Sequence, residues 1–244
     1  NLVLIINQIR PNKVINFSST AVYPNIDGEY LESSEIRPSI NNDCLYGLAK
    51  FCGENILDSL CEVIDIAHLR VSQVAENNRS DRVFEAYSKN LKDKVSLIIN
   101  LQGDMPNIKP NTISKLEKLM RSGNCDIGTL ASPIKDDNEY LDTNIVKVKV
   151  DQMLKDDSFL KVKDFFRKKK DLINDKIYHH MGLYIFTKDA LTRYVKLPRS
   201  KLEIERNLEQ MRAMENNMIV KVGLTHSMPL SVDTEEDLKK VKME

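Results

Sequence analysis

Short apolar runs with strand character alternate along this chain with longer segments of helical periodicity, and this alternation is the strongest constraint on its fold. Strands are predicted at 14–19, 62–71, 95–100, 126–134, 145–150, 178–186 and 218–224. Helices are predicted at 1–9, 43–59, 81–90, 110–120, 201–216 and from Thr234 onward. The pattern favours an α/β fold with a mostly parallel sheet and a smaller antiparallel part around 126–186.

The balance of charge limits the classes of partner. Thirty-six basic and thirty-six acidic residues leave no net charge to attract a polyanion, so neither nucleic acid nor an acidic membrane surface is expected to bind. The opening apolar run is too short to span a bilayer. Four cysteines without a C-x-x-C pair are typical of reduced thiols in a cytoplasmic protein.

A serine at a strand end and a tyrosine–lysine pair form the first group of candidate catalytic residues. Tyr46 and Lys50 are spaced to lie one helical turn apart on one face, after Ser19 at the end of a strand. A nearby ammonium lowers the pKa of a phenol and suits it to proton transfer, while a serine hydroxyl can hold a substrate oxygen. The same residues could also form an ordinary helix face and strand end.

Residues 1–74 resemble the extended short-chain dehydrogenase/reductase family, which includes NAD-dependent nucleotide-sugar epimerases and dehydratases. The matching stretches are FSSTAVY (17–23), GEYLES (28–33), YGLAKFCGE (46–54) and LRVSQV (69–74). The resemblance implies a Rossmann-like βαβ fragment, with Ser19, Tyr46 and Lys50 as dehydrogenase residues and NAD as cofactor. The family's glycine-rich dinucleotide turn has no counterpart here, so we expect these residues to be vestigial.

Two carboxylates stand out in the C-terminal two-thirds. Asp104 follows the apolar strand at 95–100, and Asp233 precedes the last predicted helix. Open α/β folds bind ligands at the carboxyl ends of their strands, and two carboxylates completed by water and phosphate oxygens suit Mg²⁺. Singly, Asp104 could form a turn and Asp233 could cap a helix. Together they predict a magnesium site.

Residues 80–244 resemble the CMP-Kdo synthetase family, the 3-deoxy-manno-octulosonate cytidylyltransferases, over almost their whole length. The matching stretches are SDRVFEAY (80–87), INLQGDMPNIKP (99–110), NIVKVKV (144–150), HHMGLYIF (179–186), LPRSKLE (197–203), LEQMRAMENN (208–217) and SVDTEEDLKKV (231–241). The resemblance implies the nucleotide-diphospho-sugar transferase fold, transfer of a cytidylyl group from CTP to an acidic 2-keto sugar, Mg²⁺ as cofactor, and a homodimer.

The resemblance also assigns roles to individual residues. Asp104 and Asp233 match the motifs of the family's catalytic magnesium ligands. The nucleotide-binding matches are Ser80, Arg82 and Gln102. The sugar-binding matches are Arg167, His180, Tyr184, Glu209 and Gln210. Taken alone, a histidine or tyrosine in an apolar strand is more often a core residue, and a Glu–Gln pair on a charged helix is more often solvated.

The chain departs from the family's pattern near its beginning. The family's Arg- and Lys-bearing loop, which cradles the triphosphate, has no counterpart, and Met105 and Glu235 replace an acid and a proline. We therefore expect a fusion of two truncated segments, 1–74 and 80–244, with weak or absent turnover. Two alternatives remain open: an NAD-dependent epimerase or dehydratase fragment, and a non-catalytic fusion relic.

Overall fold

The chain forms two compact units, one of Ile6–Asn77 and one of Asn1–Ile5 with Asn78–Glu244. The computed structural model describes residues 2–11, 13–19, 52, 54, 55, 57, 59, 65–71, 80, 83, 84, 87, 88, 95–101, 105, 107–167 and 176–229. No helix within these ranges is both long enough and apolar enough to cross a membrane.

The unit Ile6–Asn77 contains a pair of parallel strands. Strand β1 (Lys13–Ser19) pairs with β2 (Asp65–Val71) over its whole length. Parallel neighbours need a crossover connection, and helical residues between 52 and 57 lie in the intervening sequence. This arrangement is the strand, helix and strand that the periodicity predicts. Its assignment to a Rossmann-like dehydrogenase fragment stays a prediction.

A small apolar cluster lies in the same unit. Helix α1 (Leu2–Ile9) places Ile6 against Leu57, both 2% exposed, and Val14 of β1 packs beside them. Ile6 therefore lies on the buried face of α1, as the apolar periodicity of the helix predicts.

A mixed sheet forms the centre of the described part of the larger unit. Its strands are β3 (Leu97–Asn100), β4 (Ile127–Pro133), β5 (Lys147–Lys149), β6 (Phe159–Lys161), β7 (Asp164–Phe166), β8 (Ile177–Thr187) and β9 (Val220–Leu224). The order is β6-β9-β4-β8-β5-β7, and β3 also pairs with β8. The expectation of a mostly parallel sheet is wrong, because within this sheet only β4–β9 is parallel among the described ladders. The antiparallel part predicted around 126–186 is present in the ladders that join β4, β5, β7 and β8.

The long strand β8 sets the directions of its neighbours. β3 and β4 both run antiparallel to it, and β9 runs parallel to β4. Consequently β3, β4 and β9 all end at the same edge of the sheet. In β3 the first three residues are partly exposed, and Asn100 is buried.

Helix α2 (Pro110–Ser122) packs closely on the sheet through glycines in the strands. A Cβ at Gly128 of β4 would lie 2.4 Å from Met120 Sδ, and one at Gly223 of β9 would lie 2.5 Å from Leu119 Cδ1. A larger side chain at either position would require Met120 or Leu119 to shift.

The segment 201–216, predicted as one helix, is two short helices, α5 (Lys201–Arg206) and α6 (Gln210–Glu215). They follow α3 (Asp137–Leu141) and α4 (Lys188–Tyr194) in the chain. The break occurs because Asn207 adopts the left-handed conformation, with φ 51° and ψ 47°, and donates its N–H to the carbonyl of Glu203. At the other end, Ser200 and Glu203 form a reciprocal capping box.

Candidate active site

The structure describes only part of the predicted site. The described residues are Ser80, Arg167, His180, Tyr184, Glu209 and Gln210. The predicted residues outside the described ranges are Tyr46, Lys50, Arg82, Gln102, Asp104 and Asp233. Ser19 is the last residue of β1.

A bulge in β8 brings His180 and Tyr184 together. The register between β4 and β8 passes from Thr129 opposite Tyr184 to Leu130 opposite Met181, which leaves two residues of β8 out of the pairing. Residues four apart in a regular strand are separated by about 13 Å. Here the ring centroids of His180 and Tyr184 are only 5.4 Å apart.

His180 is a buried, neutral imidazole. Its Nε2 lies 3.0 Å from Thr129 Oγ1, and its ring meets that of Phe165 edge-on at 5.0 Å between centroids. Burial, together with the smaller effect of the neighbouring His179, lowers the pKa of His180 to about 3. The ring therefore carries no charge near neutral pH, and each of its nitrogens has a single hydrogen-bonding role.

Gly182, which lies between His180 and Tyr184 in the chain, borders open space. A Cβ added to Gly182 would meet no described atom within 4 Å, although residues on both sides of it are buried. Its φ is not positive, so neither crowding nor backbone conformation requires glycine here. Open space at this bulge, in a strand that also carries a neutral imidazole and a phenol, suits a ligand with hydroxyl groups.

Aromatic contacts connect Tyr184 to the start of α6. Tyr184, Phe186 and Tyr194 follow one another at centroid separations of 6.3 and 5.8 Å. The hydroxyl of Tyr194 donates to the carbonyl of Glu209 at 2.8 Å. Gln210, the first residue of α6, is buried. Its polar side chain is therefore not a solvated surface group.

Ser80 joins the two halves of the predicted site. Its hydroxyl is buried and donates to Glu209 Oε1 at 3.2 Å. A residue expected on the nucleotide side thus contacts one expected on the sugar side, although 129 positions separate them in the chain.

A buried ion pair that sequence reasoning missed anchors α6. Arg212 donates from Nε and Nη2 to the two carboxylate oxygens of Glu203 at 2.8 and 2.7 Å. Its guanidinium also lies 4.8 Å from the centre of the Tyr194 ring. Although burial raises the pKa of Glu203, hydrogen bonds from Arg212 and Ser200 hold it below its usual value. Glu203 and Arg212 both lie in stretches that match the CMP-Kdo synthetase family. That match was the signal in the sequence that could have pointed to them.

Arg167 follows β7, whose Phe165 contacts His180. The Arg167 side chain donates to the carbonyl of Asn144 at 2.7 Å. Lys147 is fully buried, and its ammonium donates to the carbonyls of Arg167, Asp142 and Ile145. Two cations therefore hold the backbone before β5 against the end of β7.

The carboxyl end of β3 carries a buried polar group without a partner. Asn100 lies opposite Tyr184, and its Nδ2 has no hydrogen-bond acceptor among the described residues. A buried donor of this kind calls for a missing partner such as a ligand oxygen. Among the described residues, no group of three or more His, Cys, Asp or Glu side chains could hold a metal ion.

Comparison with known proteins identifies a matching family and several curated relatives. Residues 53–222 match the family model described as cytidylyltransferase. The 3-deoxy-manno-octulosonate cytidylyltransferase of Bartonella bacilliformis is 37% identical over 164 residues, covering 67% of this chain and 67% of that protein. The enzyme of the same name from Rhodopseudomonas palustris is 40% identical over 161 residues, covering 66% and 65%. The chain thus spans about two thirds of the length of these relatives.

A solved structure extends the likeness in fold to almost the whole chain. CMP:2-keto-3-deoxy-manno-octonic acid synthetase complexed with CTP has a TM-score of 0.65 at 21% identity, covering 96% of this chain and 98% of that one. The overall fold is therefore that of nucleotidyltransferases with a mixed sheet. None of these similarities supports the short-chain dehydrogenase resemblance of residues 1–74. From the extent of the family match and the identity to its curated relatives, the chain belongs to the cytidylyltransferase family.

Proposed function

We propose that the chain is a cytidylyltransferase of the CMP-Kdo synthetase type, which joins CMP from CTP to an acidic 2-keto sugar and releases pyrophosphate. The observation that carries the proposal is the pairing of His180 and Tyr184 across the β8 bulge, beside the open space at Gly182. The names of the curated relatives from Bartonella bacilliformis and Rhodopseudomonas palustris agree with this substrate class.

On the sugar side, the residues offer neutral hydrogen-bonding groups and a cation. His180 and Tyr184 would bind hydroxyl groups, and the half-buried guanidinium of Arg167 would attract the sugar carboxylate. Glu209 and Gln210 lie at the start of α6, where the contact from Tyr194 and the ion pair of Arg212 fix the backbone. We expect them to bind the sugar from that side.

On the nucleotide side, the support comes from the end of β3. The chain passes from Asn100 through Leu101 directly to Gln102 and Asp104. The buried Nδ2 of Asn100 has no hydrogen-bond acceptor among the described residues. We propose that a phosphate or base oxygen of CTP accepts its hydrogen bond. Ser80, Arg82 and Gln102 would complete the nucleotide contacts.

We propose that Asp104 and Asp233 hold Mg²⁺. Two carboxylates fit the preference of this ion for hard oxygen ligands, and β3 and β9, which precede them in the chain, end at the same edge of the sheet. When bound, Mg²⁺ neutralises phosphate oxygens. The protein would align the anomeric hydroxyl of the sugar with the α-phosphate, so that its oxygen forms the new P–O bond as pyrophosphate leaves.

For the N-terminal part, we propose that residues 1–74 form a segment of separate origin from residues 80–244. Ser19, Tyr46 and Lys50 would take no part in cytidylyl transfer. The homodimer and the weak or absent turnover expected from the sequence stay predictions.

Isothermal titration tests the proposal, with CTP in the presence of Mg²⁺, CTP with a chelator, and NAD⁺. We expect binding of CTP that requires Mg²⁺, that is lost in Asp104→Ala and in Asp233→Ala, and that persists in Asp157→Ala, which removes an exposed carboxylate. Release of pyrophosphate on addition of the 2-keto sugar acid measures turnover. Binding of NAD⁺ without any binding of CTP would overturn the proposal.

A further inference from the structure

The hydroxyl of Thr129 makes three close polar contacts with β8. It lies 3.0 Å from Nε2 of His180, 3.0 Å from the carbonyl oxygen of Met181 and 2.8 Å from that of Leu183. The two carbonyls flank Gly182 at the bulge, where the ladder between β4 and β8 is interrupted. The Thr129 side chain therefore makes hydrogen bonds to β8 at the point where backbone pairing between β4 and β8 is interrupted.

Counting protons decides the direction of these hydrogen bonds. A threonine hydroxyl has one proton, and carbonyl oxygens only accept. If Thr129 donated its proton to His180, two carbonyl oxygens would face the hydroxyl oxygen at 2.8 and 3.0 Å with no proton between them. The hydroxyl must therefore donate to the carbonyls and accept from His180, whose Nε2 carries the proton.

A neutral imidazole with its proton on Nε2 has a lone pair on Nδ1. Phe165 and Tyr184 contact the same ring, at centroid separations of 5.0 and 5.4 Å, and so restrict its rotation. The ring thus has a fixed hydrogen-bond acceptor. An acceptor of this kind binds a hydroxyl group and repels a carboxylate or phosphate oxygen.

We infer that Thr129 is a positioning residue that fixes His180 as its Nε2–H tautomer, so that Nδ1 accepts a hydrogen bond from a hydroxyl of the sugar. The assignment of the ligand as a sugar acid rests on the proposed function, whereas the tautomer rests on the geometry alone. The negative charge of such a ligand would then be recognised by groups other than His180.

NMR of the free protein tests the tautomer without any substrate. The chain has four histidines, so ¹⁵N-histidine labelling gives few signals, and the spectrum of His180→Gln assigns that of His180. Two-bond ¹H–¹⁵N correlations distinguish a protonated Nε2 from a protonated Nδ1. We expect the Nε2–H pattern for His180 in the unaltered chain. An Nδ1–H pattern there overturns the inference, whether or not any variant folds.

Three threonine variants then test the role of the hydroxyl. Thr129→Val keeps the shape of the side chain and should convert His180 to a mixture of tautomers or to Nδ1–H. Thr129→Ser keeps the hydroxyl and should retain the Nε2–H pattern, as should Thr192→Val, whose lost hydroxyl bonds only within α4. A folded Thr129→Val with an unchanged His180 pattern refutes a positioning role.

Kinetics separates this inference from the proposed function. In Thr129→Val, KM for the sugar acid should rise about tenfold while KM for CTP stays unchanged, and Thr129→Ser should restore the first value. An equal rise in both constants contradicts the assignment of Nδ1 to the sugar. If the unaltered chain binds NAD⁺ but no CTP, the proposed function fails, but the tautomer result stands independently.

Discussion

Among the described histidines, His180 and His226 differ in what surrounds them. His180 is buried among aromatic rings, whereas His226 is exposed and contacts Asp156 on the surface. Protonation of His180 would place a positive charge in the interior, where no carboxylate of the described residues contacts the ring. The stability of the fold should therefore depend on pH through His180.

Acid should destabilise the chain through this residue. The pKa of His180 is about 3 in the folded state against 6.5 for an unperturbed histidine, so between these values only the unfolded chain binds the proton. Stability that is present above pH 6.5 is lost as the pH falls toward 3, by about 1.4 kcal/mol for each pH unit. Urea unfolding across this interval measures the slope. His180→Gln should flatten the slope and His226→Gln should keep it; equal slopes in both variants contradict the prediction.

Gly128 and Gly182 are two strand glycines in opposite surroundings, so the same substitution at each can be compared directly. Gly128→Ala should destabilise the fold by about 1–3 kcal/mol, because its Cβ would collide with Met120. Gly182→Ala should change stability by less than about 0.5 kcal/mol, since its Cβ enters open space. If that space holds the ligand, Gly182→Ala should nevertheless raise KM for the sugar. Thermal melting and steady-state kinetics on both variants check these expectations, and a destabilised Gly182→Ala would show that the space is not open.

At the scale of elements, periodicity predicted the strands β4, β8 and β9 to within two residues at each end, because apolar residues recur along each of them. It missed β6 and β7, since each has three residues and the run 161–170 containing Phe165 and Phe166 is strongly basic. It also missed the break at Asn207, because apolar residues continue at helical spacing beyond it. The bulge in β8 could not be foreseen, as a register shift leaves no mark in an apolar sequence.

The joint between α5 and α6 should depend on its buried ion pair. Glu203→Gln keeps a side chain that can cap α5 but leaves the guanidinium of Arg212 without its anionic partner. We expect a loss of about 3–5 kcal/mol in the free energy of unfolding. Glu117→Gln, which breaks an exposed pair with Arg121, should cost less than about 1 kcal/mol. Urea unfolding compares the two, and similar losses would show that burial does not matter.

At the scale of the whole molecule, sequence motifs indicated the family, and periodicity indicated an antiparallel part around 126–186, where β4 and β5 run against β8. It did not indicate that β3 also runs against β8, because strand direction depends on pairing between distant segments. Thr129 also escaped prediction, because its role depends on the proximity of His180, 51 positions away. The likeness in fold covers 96% of the chain, so the N-terminal residues contribute to it despite their different motifs.

Binding to the folded chain should also raise its melting temperature. A ligand that binds only the native state at a hundred times its Kd adds about 2.7 kcal/mol of stability. We expect CTP with Mg²⁺ to raise Tm in a concentration-dependent way, and CTP with a chelator or NAD⁺ to leave it unchanged. Differential scanning calorimetry gives the answer, and a shift of equal size with NAD⁺ would contradict the expectation.

Lys147 has a practical consequence for following the opening of this molecule. Its ammonium group donates to three backbone carbonyls and is inaccessible to solvent, so an acylating reagent should modify the exposed lysines first. Acylation of Lys147 requires the segment before β5 to separate from the end of β7. The rate at which mass spectrometry detects that modification would therefore report how often this part of the sheet opens.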